Sequence, residues 1–449
     1  MQIDEKIKRK ITIAAVIASR IIFGGVFLFS GFVKAIDPVG SAYKFDDYFA
    51  AFGLSALDVF SLPLAFTVAA FEFFLGANTL LGSYKKSVPF LNLLFMLFMT
   101  PLTLYLAIAN PVSDCGCFGD ALILSNWETF FKNIILLALS IFLVRNNTQV
   151  RAVYDEAVQG LVSLYIIFFS LTISFIGSHN EPILDFRPYK KDVNIPEAMS
   201  IPENAPETQY KTTLIYEKDG KEHTFLLEEL PELDTTWTFI KTINEEIGKG
   251  YEPPIKDFSV LSQQGNDITE QLLTDENFAF WMIAPSLKDA DDSEIDRLNE
   301  LYDYCAEHGY KFICLTASNA DEISEWRDDT GAEYDYAFVD KKTLMTILRS
   351  NPGIMLVKNG TIYWKASPHA LPDEWQEYSL DQTKYGYIAY NPQRRLIFLL
   401  LALTLPLTIL FLTEKGVKLI VLKFREKRKK KYQSVIADNK DPQNDNSEN

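Results

Sequence analysis

Long apolar runs constrain this chain more than any other feature of its sequence. Five of them lie within the first 177 residues and a sixth lies near the end, at 11–33, 62–82, 88–109, 130–144 with its flanks, 158–176 and 396–412. A helix needs about 20 predominantly apolar residues to cross the hydrocarbon core of a bilayer, with roughly 17 as the lower limit. Five such runs folded into a soluble domain would leave too little polar surface. The sequence therefore predicts a helical membrane bundle of about six spans.

Basic residues predict how this bundle is oriented. Lysines and arginines precede the first run and lie within the segments 84–86 and 145–151, and nine of them lie between Lys415 and Lys431. The positive-inside rule places all four segments in the cytoplasm. The first run is not expected to be a cleaved signal peptide, because it is long, contains Arg20 and lacks a small-residue cleavage site. We thus expect a multi-pass protein of a bacterial inner membrane, with cytoplasmic termini and the large domain in the periplasm.

The segment 178–393 has a different composition from the rest of the chain. It holds 41 acidic and 19 basic residues, a net charge of −22, whereas the whole chain carries −16, so the remainder is basic. An acidic domain of this kind repels nucleic acid. The charge therefore excludes nucleic-acid binding and leaves membrane lipid and other proteins as partners.

The loop "DCGCFGD" places two of the four cysteines, Cys115 and Cys117, one residue apart outside the membrane. Three hypotheses remain open for it. A disulfide between the two would close a small, strained ring, and strained bridges are the more oxidising ones. A metal clip would need two further ligands, for which the loop offers only Asp114 and Asp120, with His179 near another outer helix end. The pair could also be an inert tight turn.

Two charged residues lie inside the apolar runs. Arg20 is near the middle of the first run and Glu72 near the middle of the second, each roughly 15 Å from the helix ends at 1.5 Å per residue. Charges at that depth normally pair or line a functional cavity. Equal depth predicts an ion pair between Arg20 and Glu72, either as structural glue or as part of a pocket for a quinone or a proton path.

Several motifs in the first third of the chain resemble one family. The first span reads "RIIFGGVFLFSGFVKAIDPVG", with Arg20 and Lys34, and the second supplies "FEFFLGANTLLG", with Glu72; "DCGCFGD" and "NWETFFKNIILL" follow. Over about residues 10–146 these motifs resemble the DoxX-like superfamily and most closely its MauE branch, the methylamine-utilisation membrane proteins. The resemblance implies a four-helix membrane domain. It also implies a link to quinone-coupled oxidation for DoxX members and a role in disulfide formation in periplasmic partners for MauE members.

The outer segment has an alternating strand and helix pattern. After a Pro-rich stretch at 181–207 and a hairpin around "KDGK", the order of strands and helices predicts a parallel core with a final hairpin. Residues 250–370 resemble thioredoxin-like proteins of the TlpA or redoxin type, and Pro352 stands where that fold has its cis-proline. The stretch "APSLKDA" occupies the place of the usual Cys-x-x-Cys motif. Cys305 and Cys314 are expected to be small buried core residues.

The sequence thus predicts an α-helical polytopic membrane bundle with an inserted α/β thioredoxin-like domain. The expected parts are a MauE-like domain, a fifth membrane helix, a linker with a hairpin, the thioredoxin-like domain, a sixth membrane helix and a basic then polar tail, at 1–150, 151–177, 178–250, 251–393, 394–413 and 414–449.

The leading hypothesis for function is thiol–disulfide exchange, in which electrons pass between a periplasmic protein and a quinone. Cys115 and Cys117 would be the redox pair, with Cys115 attacking because it lies nearer the end of the third span. The supporting polar residues would be Arg20, Lys34, Glu72, Asp114 and Asp120. No metal is expected, and a quinone is the candidate cofactor. The alternative is a non-enzymatic accessory or assembly protein of the envelope whose thioredoxin-like domain docks a partner.

Overall fold

The structure, a computed structural model, forms two compact units. It describes residues 5–112, 114–206, 209–218, 220–227, 230, 236–248, 250–371, 380 and 392–438. Unit 1 comprises Met1–Phe186 with Ala389–Asn449, and unit 2 comprises Arg187–Ile388. Each unit has its own hydrophobic core. The end of the predicted tail, 439–449, lies outside the described residues.

Unit 1 is built from helices. In chain order they are α1 (Glu5–Ile36), α2 (Pro38–Ala51), α3 (Ser61–Leu81), α4 (Ser87–Ala109), α5 (Asn126–Arg145), α6 (Glu156–His179) and α12 (Pro392–Asp438). Six helical segments of the described residues are long and apolar enough to cross a membrane, and α2 is not among them. This agrees with the six spans predicted from the apolar runs.

Helices α1 and α3 approach each other closely through glycines. A methyl group on Gly31 would lie 2.3 Å from the backbone nitrogen of Phe73, and one on Gly76 would lie 2.2 Å from that of Leu28. Small residues at such contacts allow backbones to touch, which is how membrane helices gain packing energy without a hydrophobic driving force. The contacts also define an antiparallel register in which residue 31 lies opposite 73 and residue 28 opposite 76.

The loop that carries the cysteine pair is bounded by defined helix ends. Helix α4 ends at Ala109, and the capping residue that follows, Asn110, adopts a left-handed conformation with φ 46°. Helix α5 begins with a capping box, in which the Ser125 backbone donates to Glu128 Oε2 at 2.8 Å and the Ser125 side chain accepts from the Glu128 backbone at 3.3 Å. The loop between them is therefore held at both ends.

Unit 2 contains two sheets. Its strands are β1 (Gln209–Lys218), β2 (Lys221–Leu226), β3 (Thr238–Gly248), β4 (Leu261–Ser262), β5 (Ala279–Ala284), β6 (Lys311–Thr316), β7 (Asp335–Phe338), β8 (Gly353–Lys358) and β9 (Thr361–Ala366). Its helices are α7 (Ile195–Met199), α8 (Thr269–Leu273), α9 (Ile295–His308), α10 (Ala320–Thr330) and α11 (Lys341–Ile347).

The larger sheet has the order β4-β7-β6-β5-β8-β9. Strand β6 pairs in parallel with β5 and β7, while β8 pairs antiparallel with β5 and β9. The predicted parallel core and final hairpin are therefore present, and the bond between Asn351 and Pro352 is cis. The smaller sheet has the order β2-β1-β3. It contains the predicted hairpin, while β3 was not predicted.

One expectation about unit 2 was wrong. The Pro-rich stretch expected to be a linker contributes to the core, because Tyr189 and Ile195 are 3% and 0% exposed. The Ile195 backbone donates to the Gly360 carbonyl at 2.8 Å. Apolar side chains within the stretch and this hydrogen bond attach it to the large sheet. Cys305 on α9 and Cys314 on β6 are buried and free, as expected.

Candidate functional site

The loop between α4 and α5 brings the sulfurs of Cys115 and Cys117 to 3.0 Å from each other, and both cysteines are free. Gly116 between them has a φ of +65°, a left-handed conformation that glycine adopts without steric cost. Its backbone nitrogen donates to Asp114 Oδ2 at 3.0 Å, and Asp114 Oδ1 forms an ion pair with Lys44 of α2 at 2.6 Å. The turn is thus held in a shape that directs both sulfurs to one place.

A buried polar cluster lies directly under the loop. Lys34 of α1 and Glu72 of α3 form an ion pair at 2.8 Å, and they are 7% and 5% exposed. The Ser30 hydroxyl lies 2.7 Å from Glu72 Oε2 and 2.6 Å from the Cys117 carbonyl oxygen, and it can donate to one of them at a time. Lys34 Nζ also donates to that carbonyl at 2.6 Å. The cluster therefore fixes the backbone of Cys117 on α1, and Glu72 connects the two α1 side chains to α3.

The predicted ion pair between Arg20 and Glu72 is wrong. Arg20 donates to the carbonyl oxygens of Thr79 at 2.9 Å and Leu80 at 2.7 Å, near the end of α3, and to that of Arg151 at 3.1 Å. The last carbonyls of a helix lack intrahelical partners, and a cation satisfies them well.

The physical reason for the error is the antiparallel register of α1 and α3. It places Glu72 opposite the part of α1 that contains Ser30 and Lys34, whereas Arg20 lies beside the end of α3. Counting depth from the ends of the apolar runs misled the prediction, because it assumes that the two helices are centred on each other, whereas the middle of α1 lies beside the end of α3.

A small cavity opens beside Cys117. It has a volume of about 20 Å³, which is room for about one water molecule. Glu72, Lys132 and Asn133 contribute polar groups to its wall together with Cys117, and the rest of the lining is mostly apolar. Lys132 Nζ lies 4.4 Å from the centre of the Phe118 ring, within range for a cation–π interaction.

The two cysteines differ in acidity. The hydrogen bond from the Cys115 thiol lowers the pKa of Cys117 to about 6, and the positive charges of Lys132 and Lys34 act in the same direction. The same hydrogen bond, with burial, raises the pKa of Cys115 well above its usual value. Cys117 is also the more exposed of the two. These properties favour Cys117 over the expected Cys115 as the attacking thiolate, because only the thiolate is nucleophilic.

Helix α2 covers the other side of the loop. The Tyr48 hydroxyl donates to the Cys115 carbonyl at 2.7 Å, and burial raises the pKa of Tyr48, which keeps it a donor. Asp120 is half-buried in the short turn Gly119–Ala121 that follows Phe118.

The sequence reasoning missed Ser30, Tyr48 and Lys132. A signal was available for two of them. Ser30 lies one helical turn before Lys34, and Lys132 is a charge near the start of an apolar run, of the same kind that drew attention to Arg20 and Glu72. In the described part of the chain, no group of three or more His, Cys, Asp or Glu residues could hold a metal ion. The metal-clip hypothesis thus finds no ligand set there.

Comparison with known proteins agrees with the resemblance for the membrane bundle. Residues 12–145, less than a third of the chain, match the family described as methylamine utilisation protein MauE. Residues 210–249, which cover β1 from its second residue, β2 and β3, match a domain of unknown function (DUF8463). No curated protein and no solved structure matches the chain significantly. The membrane segment from α1 to α5, with the cysteine loop and the polar cluster beneath it, is therefore MauE-like.

Proposed function

We propose that this protein carries out thiol–disulfide exchange at the membrane through Cys115 and Cys117, as an accessory protein of the kind that the name MauE describes in methylamine utilisation. One observation carries the proposal: two free sulfurs lie 3.0 Å apart on a glycine turn, and one of them is acidified. An inert turn would need neither the acidified thiol nor the buried cluster that holds it.

The exchange proceeds in two balanced steps. The Cys117 thiolate attacks one sulfur of a partner disulfide, which forms a mixed disulfide and releases the other partner sulfur as a thiolate. Cys115 then loses its proton and attacks the Cys117 sulfur, which closes the Cys115–Cys117 disulfide and releases the second partner thiolate. The reverse sequence oxidises a partner dithiol and regenerates the reduced pair.

A quinone is the electron acceptor that the family resemblance implies, and unit 1 has a cavity that fits one. This cavity of about 520 Å³ lies among α1, α3, α6 and α12, and its lining is almost entirely apolar. Phe29 forms part of its wall, and the Phe29 ring lies 5.5 Å from the Phe118 ring of the cysteine loop. Phe29, Phe32 and Leu403 would hold an apolar ring or tail. When the reverse sequence has oxidised a partner dithiol, the Cys115–Cys117 pair is left as a dithiol, and a bound quinone would supply the acceptor for the two electrons and two protons that this dithiol must lose to become a disulfide again.

For unit 2 we propose a thioredoxin-like fold that docks the soluble partner without redox chemistry of its own. The strand order, with two parallel pairs in the centre and a final antiparallel hairpin, supports this fold. Ala284 ends β5 and is followed by Pro285 and Ser286 rather than by a cysteine. Burial raises the pKa of both Cys305 and Cys314, so neither forms a thiolate readily.

For localisation we propose the inner membrane of a bacterium, with the cysteine loop and unit 2 in the periplasm. Contacts at the other end of the bundle support this orientation, because they gather the basic segments there. Arg20 binds the Arg151 carbonyl, and Lys418 of α12 forms an ion pair with Asp155. The positive-inside rule assigns such an end to the cytoplasm.

Single-cysteine variants of the full-length protein in cells test the exchange. Cys115→Ser removes the resolving thiol and should trap a mixed disulfide on Cys117, visible as a band shift that a reductant reverses. Cys117→Ser, the matched control, should give no adduct. An adduct only with Cys117→Ser would reverse the order of attack. If neither variant forms an adduct and the wild-type pair does not change redox state during growth, exchange is excluded and the accessory role without chemistry remains.

A further inference from the structure

The charges in and next to the small cavity do not balance in every redox state. Glu72 lines the cavity and pairs with Lys34 of α1 at 2.8 Å. Lys132 lines the same cavity, yet among the described residues it has no ion pair and no hydrogen bond; its contact is the Phe118 ring. With Cys117 as a thiolate, the site contains two cations and two anions. Formation of the disulfide removes the thiolate and leaves one positive charge without a counterion.

An unbalanced charge in a partly buried membrane site is costly, because water is not available to solvate it. The cost falls on the oxidised form of the pair alone. The reduced form is therefore stabilised relative to the disulfide. Stabilisation of the reduced form is what makes a dithiol pair a strong oxidant, since the disulfide then accepts electrons readily.

We propose that Lys132 sets the reduction potential of the Cys115–Cys117 pair, and that it makes the disulfide oxidising enough to accept electrons from partner dithiols. This inference rests on the proposed function and assigns a residue to the direction that the family resemblance implies, in which the pair forms disulfides in its partner. In that direction the partner dithiol loses two electrons and two protons, and the Cys115–Cys117 disulfide gains them. Lys132 acts through the Cys117 thiolate and is a positioning residue, not a catalytic one.

The other ionisable groups around the pair cannot take the place of Lys132. From α1 and α3, Lys34 and Glu72 neutralise each other. From α2, Lys44 is paired with Asp114 of the loop, and Tyr48 donates to a carbonyl as a neutral phenol. Among the described residues around the pair, Lys132 of α5 is thus the cation for which the Cys117 thiolate is the available counterion.

The redox equilibrium of the full-length protein in detergent tests the inference. Wild type, Lys132→Gln and Lys132→Arg are equilibrated in glutathione buffers of graded composition, and the fraction of disulfide is measured by alkylation and mass spectrometry. Lys132→Gln should shift the equilibrium constant about tenfold towards the disulfide, which is about 30 mV for a two-electron couple. Lys132→Arg keeps the positive charge at a similar distance and should stay within about twofold of wild type, because the Coulomb attraction to the thiolate depends on charge and distance.

A second readout separates an electrostatic role from a structural one. The alkylation rate of Cys117 should rise through pH of about 6 in wild type, and the midpoint should move to higher pH in Lys132→Gln but not in Lys132→Arg. Lys85→Gln, at an exposed position in the turn before α4, is the control and should change neither readout. If Lys132→Gln does not accumulate, Lys132→Met serves in its place, since its chain also packs against the Phe118 ring.

Two outcomes would overturn the inference. A neutral variant with the wild-type potential and the wild-type pH midpoint would show that Lys132 has no electrostatic effect on the pair, while the proposed exchange would stand. A wild-type pair that never equilibrates with glutathione would instead remove the proposed function, and the inference with it.

Discussion

Single residues in the bundle have the roles that their contacts assign, not those suggested by their place in an apolar run. Lys34 and Ser30 contact both the carbonyl of Cys117 and the carboxylate of Glu72, whereas Arg20 binds carbonyl groups near the far end of α3. A buried ion pair of this kind is a poor source of net stability, because desolvation offsets most of the attraction. The role of the ion pair here is to hold the cysteine loop in place.

A double-mutant cycle on these charges checks the assignment. Lys34→Met alone strands the Glu72 carboxylate in the bundle and should destabilise the protein by about 3–5 kcal/mol, and the double variant with Glu72→Leu should recover most of that loss. Arg20→Met and Glu72→Leu share no partner, so their effects should add within about 0.5 kcal/mol. Unfolding in detergent with a denaturant measures each free energy. A large coupling energy between Arg20 and Glu72 would instead mean that these two side chains interact, contrary to the structure.

At the scale of helices, the close contact between α1 and α3 determines which side chains meet at the site. The glycines at 31 and 76 allow the two backbones to touch, and this contact brings Glu72 level with Lys34. A wider separation would pull the carboxylate away from the lysine and release the Cys117 carbonyl. The site therefore depends on two residues that have no side chains.

Alanine substitutions along α1 and α3 test this backbone contact. Gly31→Ala and Gly76→Ala force a methyl group against backbone atoms less than 2.4 Å away, and overpacking of this kind costs about 1–3 kcal/mol. Gly25→Ala on α1 is the matched control, because a methyl group there has nothing within 4 Å, and it should be neutral or stabilising by up to about 1 kcal/mol. Thermal unfolding of the purified variants gives the comparison. Equal stability of all three would mean that α1 and α3 do not touch as described.

At the scale of the whole molecule, unit 1 has its basic segments at one end and its cysteine loop at the other. Helix α12 has 47 residues, or about 70 Å at 1.5 Å per residue, more than twice the hydrocarbon thickness of about 30 Å. It therefore continues past the membrane as an exposed basic helix. The orientation we propose places this extension in the cytoplasm.

Labelling of introduced cysteines tests that orientation. Lys85→Cys and Tyr432→Cys should be protected from a membrane-impermeant maleimide in spheroplasts, whereas Lys221→Cys in unit 2 should react. The background replaces Cys115 and Cys117 with Ser, while Cys305 and Cys314 are too buried to label in the folded protein. Reaction at position 432 from outside, with position 221 protected, would invert the topology.

The sequence alone determined the features that depend on the length of a run of residues or on motifs of a few neighbouring residues. The lengths of the apolar runs predicted six spans because a bilayer has a fixed thickness. The capping box at Ser125 and the hairpin around Gly220 were readable because their signals lie within a few residues. The cysteine pair itself was visible as two residues in one short loop.

Only the tertiary structure decided which distant residues meet at that loop. The partner of Glu72 is Lys34 and not Arg20 because the register of α1 on α3 depends on a backbone contact at Gly31 and Gly76, which no count of depth from helix ends reveals. The acidity of Cys117 likewise depends on Cys115, Lys132 and Lys34. Electrostatic effects fall off with distance in space, so their sources could not be read from separation along the chain.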